Sequence, residues 1–263
     1  ELARLGYEGV EILLDRPHLD PSRTHPRQVT ALRRILEDCR LQVSNLNANT
    51  AHALHPGPVA EAQHFEPSLT SPDPGIRKHR IAFTIRALEI ASDLGHPPVS
   101  ITPGRREEGP IAPQRERLKR SLEPILSRAE ALGVNVGIEY EPGLVIERGD
   151  ELASFLQELP HPMLGANWDL GHAWVVSDDL DAIARSLKGR IWNCHIEDIK
   201  DRGHDHLIPG EGNLDFGAVR KALEGGIGYE GFLTAELYPY KNNPRYAAEK
   251  ALAFLKERFS PSS

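Results

Sequence analysis

Acidic and imidazole side chains recur at the ends of successive short β-rich segments of this sequence. The four that carry this pattern are Glu139, Asp169, His195 and Glu236. Each follows a strand-like run and precedes a helical run, so all four would lie at the same end of a set of parallel strands. Carboxylate oxygens and an imidazole nitrogen together form a ligand set for a divalent metal. In barrels of alternating strands and helices, this end of the strands carries the chemistry.

The alternation of side chains along a strand directs these groups to one inner face. Within VNVGIEYEP, residues 134–142, Val136 and Ile138 would face the helices, whereas Glu139 and Glu141 would point inward. The same alternation places inward Asp169, His195 and Glu236. Carboxylates this close repel one another, so a bound cation is the simplest neutraliser. The oxygen-rich set favours Mn, Mg or Co and also admits Zn, and Glu141 would replace Glu139 if the register shifted by two.

Three more histidines lie close to these residues in the sequence. His172 comes three residues after Asp169, on the turn that leaves the strand, and we expect it to bind the substrate. His204 and His206 follow His195 in a glycine-containing segment that is typical of an ordered active-site loop. His206 is a second candidate for substrate binding. The pair His204 and His206 is also a candidate for a second metal site.

An arginine and two asparagines complete the candidate site. Arg202, in the loop after the third strand-end residue, is a candidate for contact with an anionic group of the substrate. Asn47 and Asn49 share the inner face of their strand, where amide groups suit a ligand with many hydroxyls.

The elements that must position these residues alternate between strand and helix along the chain. Seven strands can be assigned, which predicts an α/β fold with a parallel sheet, a (β/α)8 TIM barrel. The 263 residues fit one such barrel, and no linker divides residues 1–263, so we expect a single domain. The opening ELARLGYEGVEI resembles the end of a helix leading into a strand. A closed barrel would need one more strand before residue 1, so the first strand is either missing or trimmed.

Composition excludes several classes of protein. The net charge of −7 provides no basic surface for nucleic acid. Cys39 and Cys194 form no paired-cysteine motif, which argues against a disulfide framework and indicates a reducing, cytoplasmic location. The sequence contains no apolar run long enough to span a membrane. We therefore expect a small-molecule substrate as the partner. The sequence is also compatible with a homo-oligomer.

Four segments of the chain together resemble the xylose isomerase-like TIM barrel superfamily, which includes sugar phosphate isomerases and epimerases and the AP endonucleases of family 2. They are GIEYEP (137–142), NWDLGHA (167–173), CHIEDIKDRGHDHLIPGEGNLDF (194–216) and GFLTAELYPY (231–240). The resemblance covers nearly the whole chain. It implies that one metal ion is bound by Glu139, Asp169, His195 and Glu236.

The resemblance also implies a reaction. In the 3-epimerases of this superfamily, two glutamates exchange a proton on opposite faces of the substrate carbon, while the metal polarises the adjacent carbonyl and stabilises an enediolate. Glu139 and Glu236 match those glutamates. The expected protein is a metal-dependent isomerase or epimerase of carbohydrate metabolism that acts on a sugar, a sugar phosphate or a cyclitol.

Three alternatives remain open at this stage. A dehydratase of the inosose or dehydroshikimate type would use the same enolate and lose a hydroxyl. A phosphodiesterase like the AP endonucleases would need histidines from earlier strands, but Thr102 follows PVSI where a histidine would be required. A non-catalytic barrel that only binds a sugar is the third.

Overall fold

Strands and helices alternate through almost the entire chain in a computed structural model, which describes residues 1–55, 57–60 and 63–259. The strands are β1 (Gly9–Leu13), β2 (Gln42–Asn47), β3 (Val99–Ile101), β4 (Val136–Ile138), β5 (Leu164–Asp169), β6 (Ile191–Ile196) and β7 (Leu233–Ala235). The helices are α1 (Leu2–Leu5), α2 (Pro26–Cys39), α3 (Pro74–Asp93), α4 (Ile111–Leu132), α5 (Gly149–Glu158), α6 (Leu170–Val175), α7 (Leu180–Ser186), α8 (Phe216–Arg220) and α9 (Pro244–Phe259). A π-helical segment, Lys221–Ile227, extends α8.

The seven strands form one parallel sheet in the order of the chain, from β1 to β7. This arrangement confirms the expected α/β barrel, because each strand pairs with the next and helices connect them. The barrel is nearly closed. Among the described residues, β7 pairs with β6 and β1 pairs with β2, but no ladder joins β7 to β1.

A cleft of about 1250 Å³ separates the two edge strands. Its walls include Tyr7 and Gly9 on one side, Phe232 and Glu236 on the other, and Lys256 from α9. The cleft lies between β1 and β7, the two edges of the sheet formed by the described residues. Within the described part of the chain, no helix is long and apolar enough to cross a membrane.

The helices begin where the sequence supplies caps. Asp73, Asp179 and Asp215 each accept hydrogen bonds from backbone amides in the first turn of α3, α7 and α8, respectively. At the other end of α4, Gly133 adopts a φ of 65° and ends the helix in the left-handed conformation. These signals hold the helices at fixed lengths against the sheet.

Several strands are shorter than the sequence suggests. The segment 134–142 reads as one strand, but its ladder covers only Val136–Ile138. Beyond Ile138 the backbone turns, and the Leu144 amide donates to the Glu141 carbonyl. The regular ladder therefore ends where the polar side chains begin. This places those side chains at the carboxyl end of the barrel.

Candidate metal centre

Four side chains from four consecutive strands meet at the carboxyl end of the barrel. One potential ligand atom from each lies within 4.8 Å of the others, and the residues are Glu139, Asp169, His195 and Glu236. Register brings them together, since Asp169 lies opposite His195 in the β5–β6 ladder and His195 lies opposite Thr234, two residues before Glu236. The residues whose spacing stood out in the sequence are thus neighbours in space.

Glu139 is held by two amide groups. Its Oε2 atom accepts a hydrogen bond from Asn49 Nδ2 at 2.8 Å and another from Asn167 Nδ2. The same oxygen lies 3.3 Å from His195 Nδ1. With 2% of its surface exposed, Glu139 is a buried carboxylate of fixed orientation.

Asp169 combines a structural contact with an unused oxygen. Its Oδ1 atom accepts the His172 backbone amide at 2.6 Å and caps α6. Its Oδ2 atom is buried and accepts no hydrogen bond from any described residue. Burial opposes ionisation, but the positive charges of His172 and neighbouring histidines lower the pKa of Asp169 well below its usual value. A bound cation would satisfy an ionised, buried oxygen that accepts no hydrogen bond.

His195 lies at the middle of the site and has no exposed surface. Its Nδ1 atom faces three carboxylates, at 3.3 Å from Glu139, 3.7 Å from Asp169 and 3.6 Å from Glu236. Its Nε2 atom lies 2.6 Å from Glu11 Oε2. Burial lowers the pKa of His195, but the surrounding carboxylates, Glu11 first, raise it well above its usual value. The same negative field would attract a metal ion to Nδ1.

Glu236 approaches from the last strand. Its Oε2 atom lies 3.6 Å from His195 Nδ1 and 3.4 Å from His206 Nδ1. Burial raises the pKa of Glu236 to about 8; the charge of His195 opposes this rise, and nearby carboxylates such as Glu139 add to it. A carboxyl group in this state exchanges protons readily near neutral pH.

The three loop and turn histidines converge beside the four strand-end residues. His204 Nε2 lies 2.7 Å from His172 Nε2 and 2.9 Å from His206 Nε2. Tyr238 stacks against the His206 ring, with 4.5 Å between centroids. Three imidazole nitrogens this close form a second group of potential metal ligands.

The asparagines and the arginine take different positions. Asn47 donates to Glu11 Oε1 at 2.9 Å, whereas Asn49 holds Glu139, so both amides already bind carboxylates of the site. Arg202 is not brought into the cluster. Its guanidinium lies over the Trp174 ring at 4.9 Å and donates to the Ser177 hydroxyl at 2.7 Å. Positive φ values at Asp201 and Arg202 turn the loop in this direction.

Two carboxyl groups at the centre were not singled out in the sequence as site residues. Glu11, on β1, bonds to His195 as described, and the alternation that places Val10 and Ile12 outward would have indicated it. Glu197 follows His195 by two residues and is fully buried beside Asp169. Burial and the negative charge of Asp169 raise the pKa of Glu197 well above its usual value.

Glu141 lies outside the group of four. Its Oε1 atom is 3.9 Å from His204 Nδ1, and 15% of its side chain is exposed. Burial raises the pKa of Glu141 to about 7, partly opposed by the charge of His172. The register therefore places Glu139, rather than Glu141, next to His195.

The donor set fits a divalent cation. Three carboxylates and one imidazole each offer a ligand atom within 4.8 Å of the others, and one buried carboxylate oxygen accepts no hydrogen bond from the described residues. Oxygen-rich sets with one imidazole suit Mn, Mg, Co and Zn. The fold and this site define a class of protein, the parallel α/β barrels with a polar, metal-type centre at the carboxyl ends of their strands.

The chain belongs to the xylose isomerase-like TIM barrel family, whose model matches residues 1–258. It is similar to fructoselysine 3-epimerase of Escherichia coli O157:H7, with 24% identity over 98% of this chain and 90% of the relative. It also matches inosose dehydratase of Lacticaseibacillus casei, with 27% identity over 53% of each protein. Among solved structures, the IolI protein with a bound zinc atom superposes with a TM-score of 0.78 at 20% identity, covering 98% of this chain and 90% of that one.

Proposed function

We propose that this protein is a metal-dependent sugar epimerase or isomerase that moves a proton at a carbon next to a carbonyl. The observation that carries the proposal is the convergence of four residues whose potential ligand atoms lie within 4.8 Å of one another, among them Asp169, whose buried Oδ2 atom accepts no hydrogen bond from the described residues. Fructoselysine 3-epimerase, whose alignment with this chain covers 90% of its length, supports this reaction class. The zinc atom of the IolI structure supports a divalent metal in the same fold.

Glu139, Asp169, His195 and Glu236 would hold the cation. When bound, a divalent metal supplies polarisation of the substrate carbonyl, which acidifies the neighbouring carbon. The donor set favours Mn, Mg or Co and admits Zn.

Glu139 and Glu236 would move the proton. Both carboxylates approach His195 Nδ1, at 3.3 and 3.6 Å, so they border one small volume from two different strands. One carboxylate removes the proton from a face of the substrate carbon, and the other returns a proton to the opposite face. The raised pKa of Glu236, about 8, supports a role in which this group carries a proton at neutral pH.

The histidines bordering the centre would bind the substrate. His172 and His206 present imidazole nitrogens next to the four ligands, and Tyr238 offers a ring at the mouth of the site. Asn47 and Asn49 act through the carboxylates that they hold. Arg202 would need to leave Trp174 to reach a substrate anion.

The three converging imidazoles support a second assignment for part of the site. His204 and His206, together with His172, would hold a second cation between their Nε2 atoms. This position would be filled only after the group of four, because it offers imidazole nitrogens and no carboxylate. We expect a metal titration of the wild type to show a second bound equivalent, and we expect the His204→Ala variant to lose that second equivalent.

Solvent deuterium tests the reaction. The metal-loaded protein is incubated in D₂O with a panel of ketoses, ketosamines and inososes, and carbon-bound deuterium is followed by NMR. We expect incorporation next to a carbonyl together with the epimer or isomer, abolished by chelation and restored by metal. Loss of water without an epimeric product would instead identify a dehydratase, and no exchange with any member of the panel would reject proton transfer on these substrates.

A further inference from the structure

Glu11 makes the closest contact to His195 of any carboxylate in the site. Its Oε2 atom lies 2.6 Å from His195 Nε2, and neither side chain is widely exposed, with 14% for Glu11 and 0% for His195. Glu11 lies on β1, at one edge of the sheet, whereas His195 lies on β6, next to the strand at the other edge. The contact therefore crosses the interior of the barrel.

The carboxylate of Glu11 is fully engaged by the protein. Besides His195, Asn45 Nδ2 donates to Oε2 at 2.7 Å and Asn47 Nδ2 donates to Oε1 at 2.9 Å. Asn47 is itself oriented, because its Oδ1 atom accepts the Asn49 amide at 3.1 Å. Both oxygens of Glu11 thus have partners, in contrast to the unpartnered oxygen of Asp169. Glu11 is built as a fixed acceptor rather than as a metal ligand.

This acceptor determines which nitrogen of His195 carries a proton. An ionised carboxylate can only accept, so Nε2 must be the donor in the contact with Glu11. The lone pair of the neutral ring is then left on Nδ1, the atom that faces the three other carboxylates of the centre. A histidine that binds a metal through one nitrogen is usually oriented by a carboxylate on the other.

The amide of Asn167 contacts the His195 ring without selecting either nitrogen. Its Nδ2 group lies 3.3 Å from His195 Nδ1 and 3.5 Å from His195 Nε2, and it donates a hydrogen bond to Glu139 Oε2. The orientation of this amide is set on its other side, because Asn167 Oδ1 accepts from Asn193 Nδ2 at 2.8 Å. Thr234 in turn donates to Asn193 Oδ1 at 2.9 Å. The hydrogen bonds therefore run in one donor-to-acceptor direction, from Thr234 to Asn193 and from Asn193 to Asn167.

We propose that Glu11 is a positioning residue that holds His195 in the Nε2-protonated form and directs Nδ1 to the cation site. This inference rests on the metal centre of the proposed function, and it concerns cation binding rather than the choice of substrate. Loss of such an outer carboxylate weakens metal affinity by about 10- to 100-fold in known sites. Glu11 would touch neither the metal nor the substrate.

The first test compares Glu11→Gln with Glu8→Gln, a control with the same charge change at an exposed position three residues earlier. Dissociation constants for Mn²⁺ are measured by following the free ion by electron paramagnetic resonance, without any sugar present. We expect Glu11→Gln to weaken binding by about 10- to 100-fold and Glu8→Gln to leave it within about twofold of the wild type. Equal affinity in a folded Glu11→Gln variant would overturn the proposal.

A second test needs no variant and so does not depend on the stability of one. Long-range ¹H–¹⁵N correlation spectra of the zinc-loaded wild type report which nitrogen of His195 is protonated. We expect a proton on Nε2 and the metal on Nδ1, and the reverse assignment would refute the proposal.

The two results separate this inference from the proposed function. If no sugar in the panel reacts but Glu11→Gln still weakens Mn²⁺ binding, the function fails and the positioning role stands. If sugars react and Mn²⁺ binding is unchanged by Glu11→Gln, the positioning role fails and the function stands.

Discussion

Each carboxylate of the centre has a distinct set of partners, and those partners separate its tasks. Two amide groups fix the orientation of Glu139. Asp169 caps a helix with one oxygen and has its other oxygen available to a metal ion. Both oxygens of Glu11 accept hydrogen bonds from neighbouring side chains. Glu236 is less restrained, since its ion-pair contacts among the described residues are those to His195 at 3.6 Å and His206 at 3.4 Å. A group that must gain and lose a proton in each turnover benefits from that freedom.

Substituting Glu236 tests its part in proton transfer. We expect Glu236→Gln to lower turnover by at least about 100-fold, because an amide cannot carry the proton and general acid–base catalysis contributes this much or more. Circular dichroism and thermal unfolding should remain close to the wild type, since the side chain is only partly buried at a strand end.

The matched control is Glu230→Gln, an exposed glutamate just before the same strand. It should retain activity. Turnover of Glu236→Gln at the wild-type rate would remove this residue from the mechanism.

The identities of the central residues could be predicted because strand periodicity is strict. A period of two fixes which side chains point inward, and the parallel order brings successive strand ends together. These two rules bring Glu139, Asp169, His195 and Glu236 together, but they also turn Glu141 inward, and the structure places Glu141 outside the group. Glu11 obeys the same rules, but GVEIL carries a single charge amid apolar residues and shows no polar stretch to mark it.

At the scale of elements, the loops were less predictable than the strands. The segment after β6 has no period, so the sequence could not indicate that His204 would bridge His172 and His206. The position of Arg202 depends on two left-handed residues that are not glycine, a conformation with little sequence signal. The sequence also predicts strands that are too long at their carboxyl ends. The segment 134–142 has strand periodicity throughout, but its hydrogen-bonded ladder ends at Ile138, before the polar residues.

Close packing between β5 and β6 sets the geometry of the Asp169 and His195 pair. A Cβ atom at Gly165 would overlap the Arg190 carbonyl oxygen and the Trp192 indole of the adjacent segment. We expect Gly165→Ala to destabilise the protein by about 1–3 kcal/mol, the usual effect of overpacking a close-packed interior. Urea unfolding measures this change through its midpoint.

The control for this substitution is Gly225→Ala. Apart from the backbone of the π-helical segment itself, no atom of the described residues lies within 4 Å of a Cβ built there, so stability should be unchanged or slightly higher. Equal stability of Gly165→Ala and the wild type would show that β5 and β6 can separate without cost.

At the scale of the whole molecule, the barrel joins residues from distant parts of the chain into one charged centre. Glu11 near one end of the sequence meets Glu236 near the other through His195, with β1 and β7 as edge strands on either side of the cleft. The family match over residues 1–258 agrees with a fold that uses nearly all of the chain to build one site. Buried carboxylates would destabilise this arrangement unless a cation or protons neutralise them.

Elemental analysis of the purified, metal-reloaded protein tests this account most directly, when the wild type is compared with Asp169→Asn and Asp179→Asn. Asparagine preserves a helix cap, so both variants keep their capping function, but only Asp169 lies in the centre. We predict a tightly bound equivalent of Mn, Mg, Co or Zn in the wild type and in Asp179→Asn, and its loss in Asp169→Asn. A wild type that binds no divalent metal, or an Asp169→Asn variant that binds it equally well, would contradict the account.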